Sequence, residues 1–227
     1  MNIRVAGIVF IVVLFALTSG YMSYSVSSGD ALNEVYNKEN IQVIQSTSAG
    51  TVPHEVNVKN NGNNAIKVKK GEVLESSVSS NMIIAEDKTV EPNSNETVKA
   101  YSLEPSERVN VGSKLLPVNT TYDSLNQIID ESDPSNKQSA LNTQLEIWII
   151  MSGGNLNPYT GEPVAVVEKN NIKWTELRQN ISDAKTSIKN TFNVNENQIS
   201  SLKNKDINAG QTWIDEISDY ISSSSGI

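Results

Sequence analysis

Between Val52 and Tyr101, apolar residues alternate with polar ones at a period of two, the pattern of strands buried on one face. Glu55-Val56-Asn57-Val58-Lys59 and Ala65-Ile66-Lys67-Val68-Lys69 both alternate, and Asn60-Asn61-Gly62-Asn63-Asn64 between them reads as the turn of a hairpin. Lys70-Gly71 then turns the chain into Glu72–Leu74. Asn81–Ala85, Thr89-Val90 and Thr97–Tyr101 add strands, separated by Glu86-Asp87-Lys88 and by Pro92-Asn93-Ser94-Asn95. Short strands about 8–12 residues apart, with such punctuation, predict an antiparallel β-sandwich of immunoglobulin-like type. Val109–Pro117 reads as irregular.

Beyond Thr121 the period becomes helical. Leu125, Ile128 and Ile129 predict a short helix over Tyr122–Glu131. The main helix is expected at Pro134–Met151, with Asp133 as N-cap and Pro134 at the first position, where its missing N–H costs nothing. Leu141, Gln144, Leu145, Trp148 and Met151 share one face; Ser139, Asn142 and Glu146 fall toward another. The β-branched content of Leu145–Met151 also permits a buried strand. Val164–Val167 reads as a short strand. Trp174, Leu177, Ile181, Ala184 and Ile188 line one side of a helix near Trp174–Asn190, and a last helical pattern covers Gln211–Ile221. The expected class is therefore α+β. A sandwich over 51–121 is followed by a mainly helical part over 122–227, and a polar spacer over 21–50 precedes it with a helical piece at Ala31–Tyr36.

The N-terminus changes the picture from fold to address. Arg4 precedes an unbroken apolar run, Val5–Leu17, and small residues Thr18-Ser19-Gly20 follow. Basic start, short apolar segment and small residues form the layout of a secretory signal over 1–20. Stretched from Ile8 to Tyr24, the segment approaches a minimal membrane span of about 17–20 residues. A cleaved signal and a retained anchor through residues 5–17 both place the remainder outside the cytoplasm. The sequons at Asn95, Asn119 and Asn180 are then candidate glycosylation sites.

Composition excludes several chemistries. The chain has no cysteine, so disulfides, thiol nucleophiles and thiolate metal sites are ruled out. Its single histidine, His54, rules out a two-histidine metal motif; His54 reads as a strand-start residue. A formal charge of −8 disfavours nucleic acid, and the one dense basic stretch, Lys67–Lys70, reads as a solvated sheet face. Serine chemistry needs a base and an elbow, and no Gly-x-Ser-x-Gly occurs. Asp130, Glu131 and Asp133 cluster between two helices, where capping and solvation explain them more simply than a cation. Asn193–Asn197 imitates the start of a calcium loop, but Gln198 replaces its glycine and Asn204 its bidentate glutamate. No cofactor or metal is expected.

Thr143-Gln144-Leu145-Glu146-Ile147-Trp148 resembles the helical Thr-Gln-x-Ala-(Ile/Val)-Trp motif of bacterial and archaeal surface modules of the thioester-domain type, with Glu146 in place of alanine. Tyr101-Ser102-Leu103-Glu104 is similar to the strand end that carries their cysteine, with Ser102 at the thiol's position. The resemblance spans at most about Val52–Asn155. It implies an extracellular address, a β-rich fold with inserted helices, and an adhesive or scaffolding role. Without a thiol it carries over no thioester. The reading is a non-enzymatic, secreted or anchored cell-surface protein serving adhesion, envelope structure or ligand binding, its partner an envelope or host-surface macromolecule. An extracytoplasmic carboxylate-dependent hydrolase and an accessory subunit of an envelope complex are the alternatives.

Overall fold

The computed structural model describes residues 30–36 and 40–203. The apolar run Val5–Leu17 and the helical pattern at Gln211–Ile221 lie outside them. Among the described residues, nine strands form two sheets. Six build the larger one in the order β2 (Ile41–Gln45), β3 (His54–Asn60), β8 (Ser94–Ser102), β6 (Met82–Ile84), β5 (Val73–Glu75), β9 (Leu116–Val118). The smaller sheet has the order β1 (Asp30–Ala31), β4 (Ile66–Val68), β7 (Lys88–Val90). Their pairings are antiparallel except that of β1 with β4.

The expected alternation is present. In β3 the residues His54, Val56, Val58 and Asn60 are buried, as are Ile41, Val43 and Gln45 in β2. The expected hairpin is not. β3 pairs with β2 and β8, whereas β4 leaves it for the other sheet, so residues 60–65 carry the chain between layers. A stretch of Asn and Gly permits a turn without dictating which strands meet across it. Strand β2 also lies inside the stretch read as polar spacer, its Ile41, Val43 and Gln45 alternating with exposed Gln42 and Ile44.

Residues 112–118 close the large sheet. Gln45 N donates to Ser113 O and Leu115 N donates to Val43 O along β2, and β9 then pairs with β5. Both edges are thereby occupied by one segment, so among the described residues the large sheet has no long free edge to recruit another chain. The result is a sandwich-like, nearly closed sheet. One face packs on the small sheet through Val43, Val56, Val58, Met82, Ile84 and Val98. Its other face, through Val73, Ile83, Tyr101 and Leu103, packs on helices. This two-sided burial is why Met82-Ile83-Ile84 is apolar without alternation.

The helices are α1 (Leu32–Val35), α2 (Asp123–Asp130), α3 (Lys137–Met151), α4 (Gly161–Asn170) and α5 (Trp174–Phe192). Helix α3 starts three residues later than expected. Its N-cap is Asn136, whose Oδ1 accepts from Gln138 N at 3.0 Å and Ser139 N at 3.1 Å. Asp133 instead accepts from Ser135 N in the preceding turn. Leu145–Met151 is helical and buried on most sides. Val164–Val167, expected as a strand, lies in α4, where Pro163 sits in the first turn and needs no N–H partner. On α5, Leu177, Ala184 and Ile188 are buried, but Trp174 is not; the first turn overhangs the core.

Candidate functional site

Strand β8 outruns its neighbour. His54, the first residue of β3, pairs with Ala100, so Ser102 extends past the ladder on that side. On its other side Ser102 lies opposite Met82 of β6. Its N–H and C=O on the β3 side would be orphaned in an apolar layer, a costly arrangement for backbone groups. Gln144 of α3 resolves this. Its Oε1 accepts from Ser102 N at 3.0 Å and its Nε2 donates to Ser102 O at 2.8 Å, so one carboxamide stands in for the missing strand residue. One turn on, Trp148 Nε1 donates to Ser102 Oγ at 2.9 Å. Ser102, Gln144 and Trp148 are all fully buried.

Thr143, the fourth motif-like position, faces an adjoining chain of hydroxyls. Its Oγ1 donates to Ser132 Oγ at 2.9 Å, and Ser132 Oγ lies 2.8 Å from Tyr101 Oη. Burial pushes the Tyr101 phenol up, partly opposed by those two hydroxyls. Glu146, which replaces the alanine of the motif, is half-buried, and desolvation raises its carboxyl. The sequence motif therefore brings Ser102, Gln144 and Trp148 together and sets Thr143 beside them.

The Ser102 hydroxyl is not an activated nucleophile. Activation requires a group that takes the hydroxyl proton, and the indole N–H of Trp148 is a donor only. His54 is engaged elsewhere. Its Nδ1 lies 3.3 Å from Thr47 Oγ1, and its Nε2 stands 3.5 Å from Glu162 Oε2, at the far limit of a hydrogen bond. Hydroxyl, imidazole and carboxylate are thus in line. Thr47 Oγ1, however, already accepts from Glu55 N and Gln45 Nε2, each at 3.0 Å, which leaves it no lone pair for attack.

Glu162 is the residue that sequence reasoning missed. Fully buried at the start of α4, it accepts from Gly50 N at 2.9 Å and Val109 N at 2.8 Å. Burial alone would raise its carboxyl; His54 and the two backbone donors outweigh that and hold it below the usual carboxylate range. It ties two loops to one helix. The only advance sign was a carboxylate just before Pro163 at a helix start, a common arrangement with no pointer to Gly50 or Val109.

The remaining polar sequence features lie in an open groove, in short hydrogen-bond networks and at the surface. Lys67, Lys69, Lys70 and Lys88 line an open groove of about 530 Å³, together with Asp87. Lys70 pairs with Asp130 at 2.6 Å and Lys88 with Glu96 at 3.3 Å, so the groove's charge is largely balanced. Among the described residues, no group of three or more His, Asp or Glu side chains is placed to hold a metal ion. Glu104 accepts from Asn81 N, Asn81 Nδ2 and Ser80 Oγ, and burial raises its carboxyl. Asn95 and Asn119 are exposed, and Asn180 is half-buried.

The chain matches no protein-family model, no curated protein and no solved structure.

Proposed function

We propose that the chain is a non-enzymatic, extracytoplasmic surface module of the thioester-domain type. Ser102 occupies the position of the thiol, and hydrogen bonds replace the covalent link. The observation that carries this reading is the bidentate pairing of the Gln144 carboxamide with the backbone of Ser102. Residues 42 positions apart are joined at the pair of sites that the motif designates. In this reading the sheets form an immunoglobulin-like sandwich, and the helices brace its open face. The role is adhesive or structural in the cell envelope, or the capture of a ligand there.

The apolar run Val5–Leu17 supports the address. The hydrolase alternative requires two carboxylates converging in one pocket. Three hollows, the lysine groove, a cleft at Glu104 and a recess at Glu75, each hold a single carboxylate. A reporter enzyme fused after Ile227 tests the address. Activity of a periplasmic or extracellular reporter is the expected result, and a reporter active only in the cytoplasm overturns the proposal.

A further inference from the structure

Two aromatic rings outside the buried core present part of their surface to solvent. Tyr159 is 55% and Trp174 37% exposed, and neither belongs to the core that α3 and α5 bury. Their centroids are 5.2 Å apart with the ring planes inclined at 36°. An aromatic pair of this size normally gains its stabilisation from burial, and here more than half of the Tyr159 surface and over a third of the Trp174 surface stay in water.

The pair is nevertheless held rigidly. Asn157 Oδ1 accepts from Tyr159 N at 3.0 Å and fixes the turn that presents the ring. Arg178, one helical turn beyond Trp174, donates to Tyr159 Oη at 3.1 Å. Gly161, two residues on at φ +58°, packs so closely on the Pro105 carbonyl that the loop is pinned there. Rigid, exposed aromatics on fixed elements are preorganised for a ligand, because little ordering entropy remains to be lost on binding.

The surroundings select the ligand. Asn157 and Thr160, two residues before and one after Tyr159, line a cleft of about 320 Å³ with Asn155, Ser106 and Ser152, where Glu104 and Lys203 bring one charge of each sign. The Asn155 and Thr160 side chains have no partner among the described residues, and of the five guanidinium N–H groups of Arg178 only one is committed, to Tyr159. Aromatic faces beside uncommitted amides, hydroxyls and a guanidinium suit a molecule with apolar C–H faces and a hydroxyl rim. A lipid surface would need contiguous aliphatic groups, whereas the neighbours here are Lys173, Thr175 and Glu176. A net charge of −8 opposes an acidic polymer.

We propose that Tyr159 and Trp174 form a stacking platform for a neutral saccharide, with Arg178, Asn157 and the adjoining cleft binding its hydroxyls. This names a ligand class for the surface module, and rests on that reading only for the setting in which glycans are met.

The test uses the protein with cellohexaose, chitohexaose, mannohexaose and polygalacturonate as probes, read by calorimetry and by the change in tryptophan fluorescence. Saturable binding of at least one neutral hexaose is expected. Trp174→Ala and Tyr159→Ala should each weaken it about tenfold or more, while Tyr159→Phe, which keeps the ring, should weaken it less. Each variant should keep a single cooperative urea transition that begins well above the binding conditions, so that a loss of binding is not a loss of fold. Ser102→Ala should leave the saccharide affinity unchanged, which separates this site from the Ser102 joint. No binding of any neutral hexaose overturns the proposal. So does binding indifferent to Trp174→Ala, or binding of polygalacturonate alone.

Discussion

At Ser102 a strand continues two residues beyond the start of its neighbour, and the polar groups of that overhang are met from a helix rather than from a strand. An apolar residue at position 144 would leave a buried N–H and a buried C=O unpaired. Gln144→Leu, close in volume, should therefore destabilise the fold by about 2–5 kcal/mol, read as a lowered urea midpoint with an unchanged slope. Asn142→Leu, on the exposed side of the same helix, should leave the midpoint nearly unchanged; equal effects at the two positions would contradict the pairing. Glu162 makes a complementary point through pH. Its carboxyl is held below the ordinary range in the folded state, so its contribution is present above that range and lost as pH falls through the lowered pKa. Glu162→Gln should be clearly less stable than wild type at neutral pH, and the gap in urea midpoints should close on acidification. A gap that widened in acid would contradict the assignment.

Among the elements, strands β3 to β8 and three of the long helical segments were legible because a period of two or of 3.6 is set by local geometry and burial on one face. Strands β1 and β2, by contrast, fall in the stretch read as spacer, and β9 begins in the one read as irregular. The pairing of strands was not legible. Asn60–Asn64 has the composition of a hairpin turn, yet β3 and β4 belong to different sheets, and only the tertiary ladder decides that. Helix α4 was misread because four consecutive apolar residues carry no period, and its burial against Gly50 comes from a distant part of the chain. Gly161 shows how tightly that helix is placed. Its positive φ and its approach to the Pro105 carbonyl leave no room for a Cβ. Gly161→Ala should cost about 2–4 kcal/mol, measured by chemical denaturation, and should loosen the Glu162 contacts that follow it. A neutral substitution there would mean that α4 is not fixed from its N-terminus.

For the molecule as a whole, the large sheet is the organising layer, packed on one side by the small sheet and on the other by α2–α5. Helix α3 crosses its Ser102 end, where the hexapeptide motif meets the strand. That juxtaposition was legible because the motif pairs two residue positions, whereas Glu162 with its partners, and the exposure of Trp174, follow from packing that no short pattern encodes. The central claim is that position 102 and the Gln144 carboxamide form the joint of a thioester module with oxygen in place of sulfur. Intact-mass spectrometry of Ser102→Cys, with thiol titration of the unfolded protein, tests it most directly. If the geometry is that of the joint, the introduced sulfur bonds to Gln144 Cδ, the Cδ–Nε2 bond breaks, and Nε2 leaves as ammonia carrying the thiol proton. The expected mass is that of the variant less one ammonia, with no free thiol, and the loss should be absent from the double variant Ser102→Cys, Gln144→Ala. A Ser102→Cys protein of full mass, with one free thiol per chain, would contradict the claim.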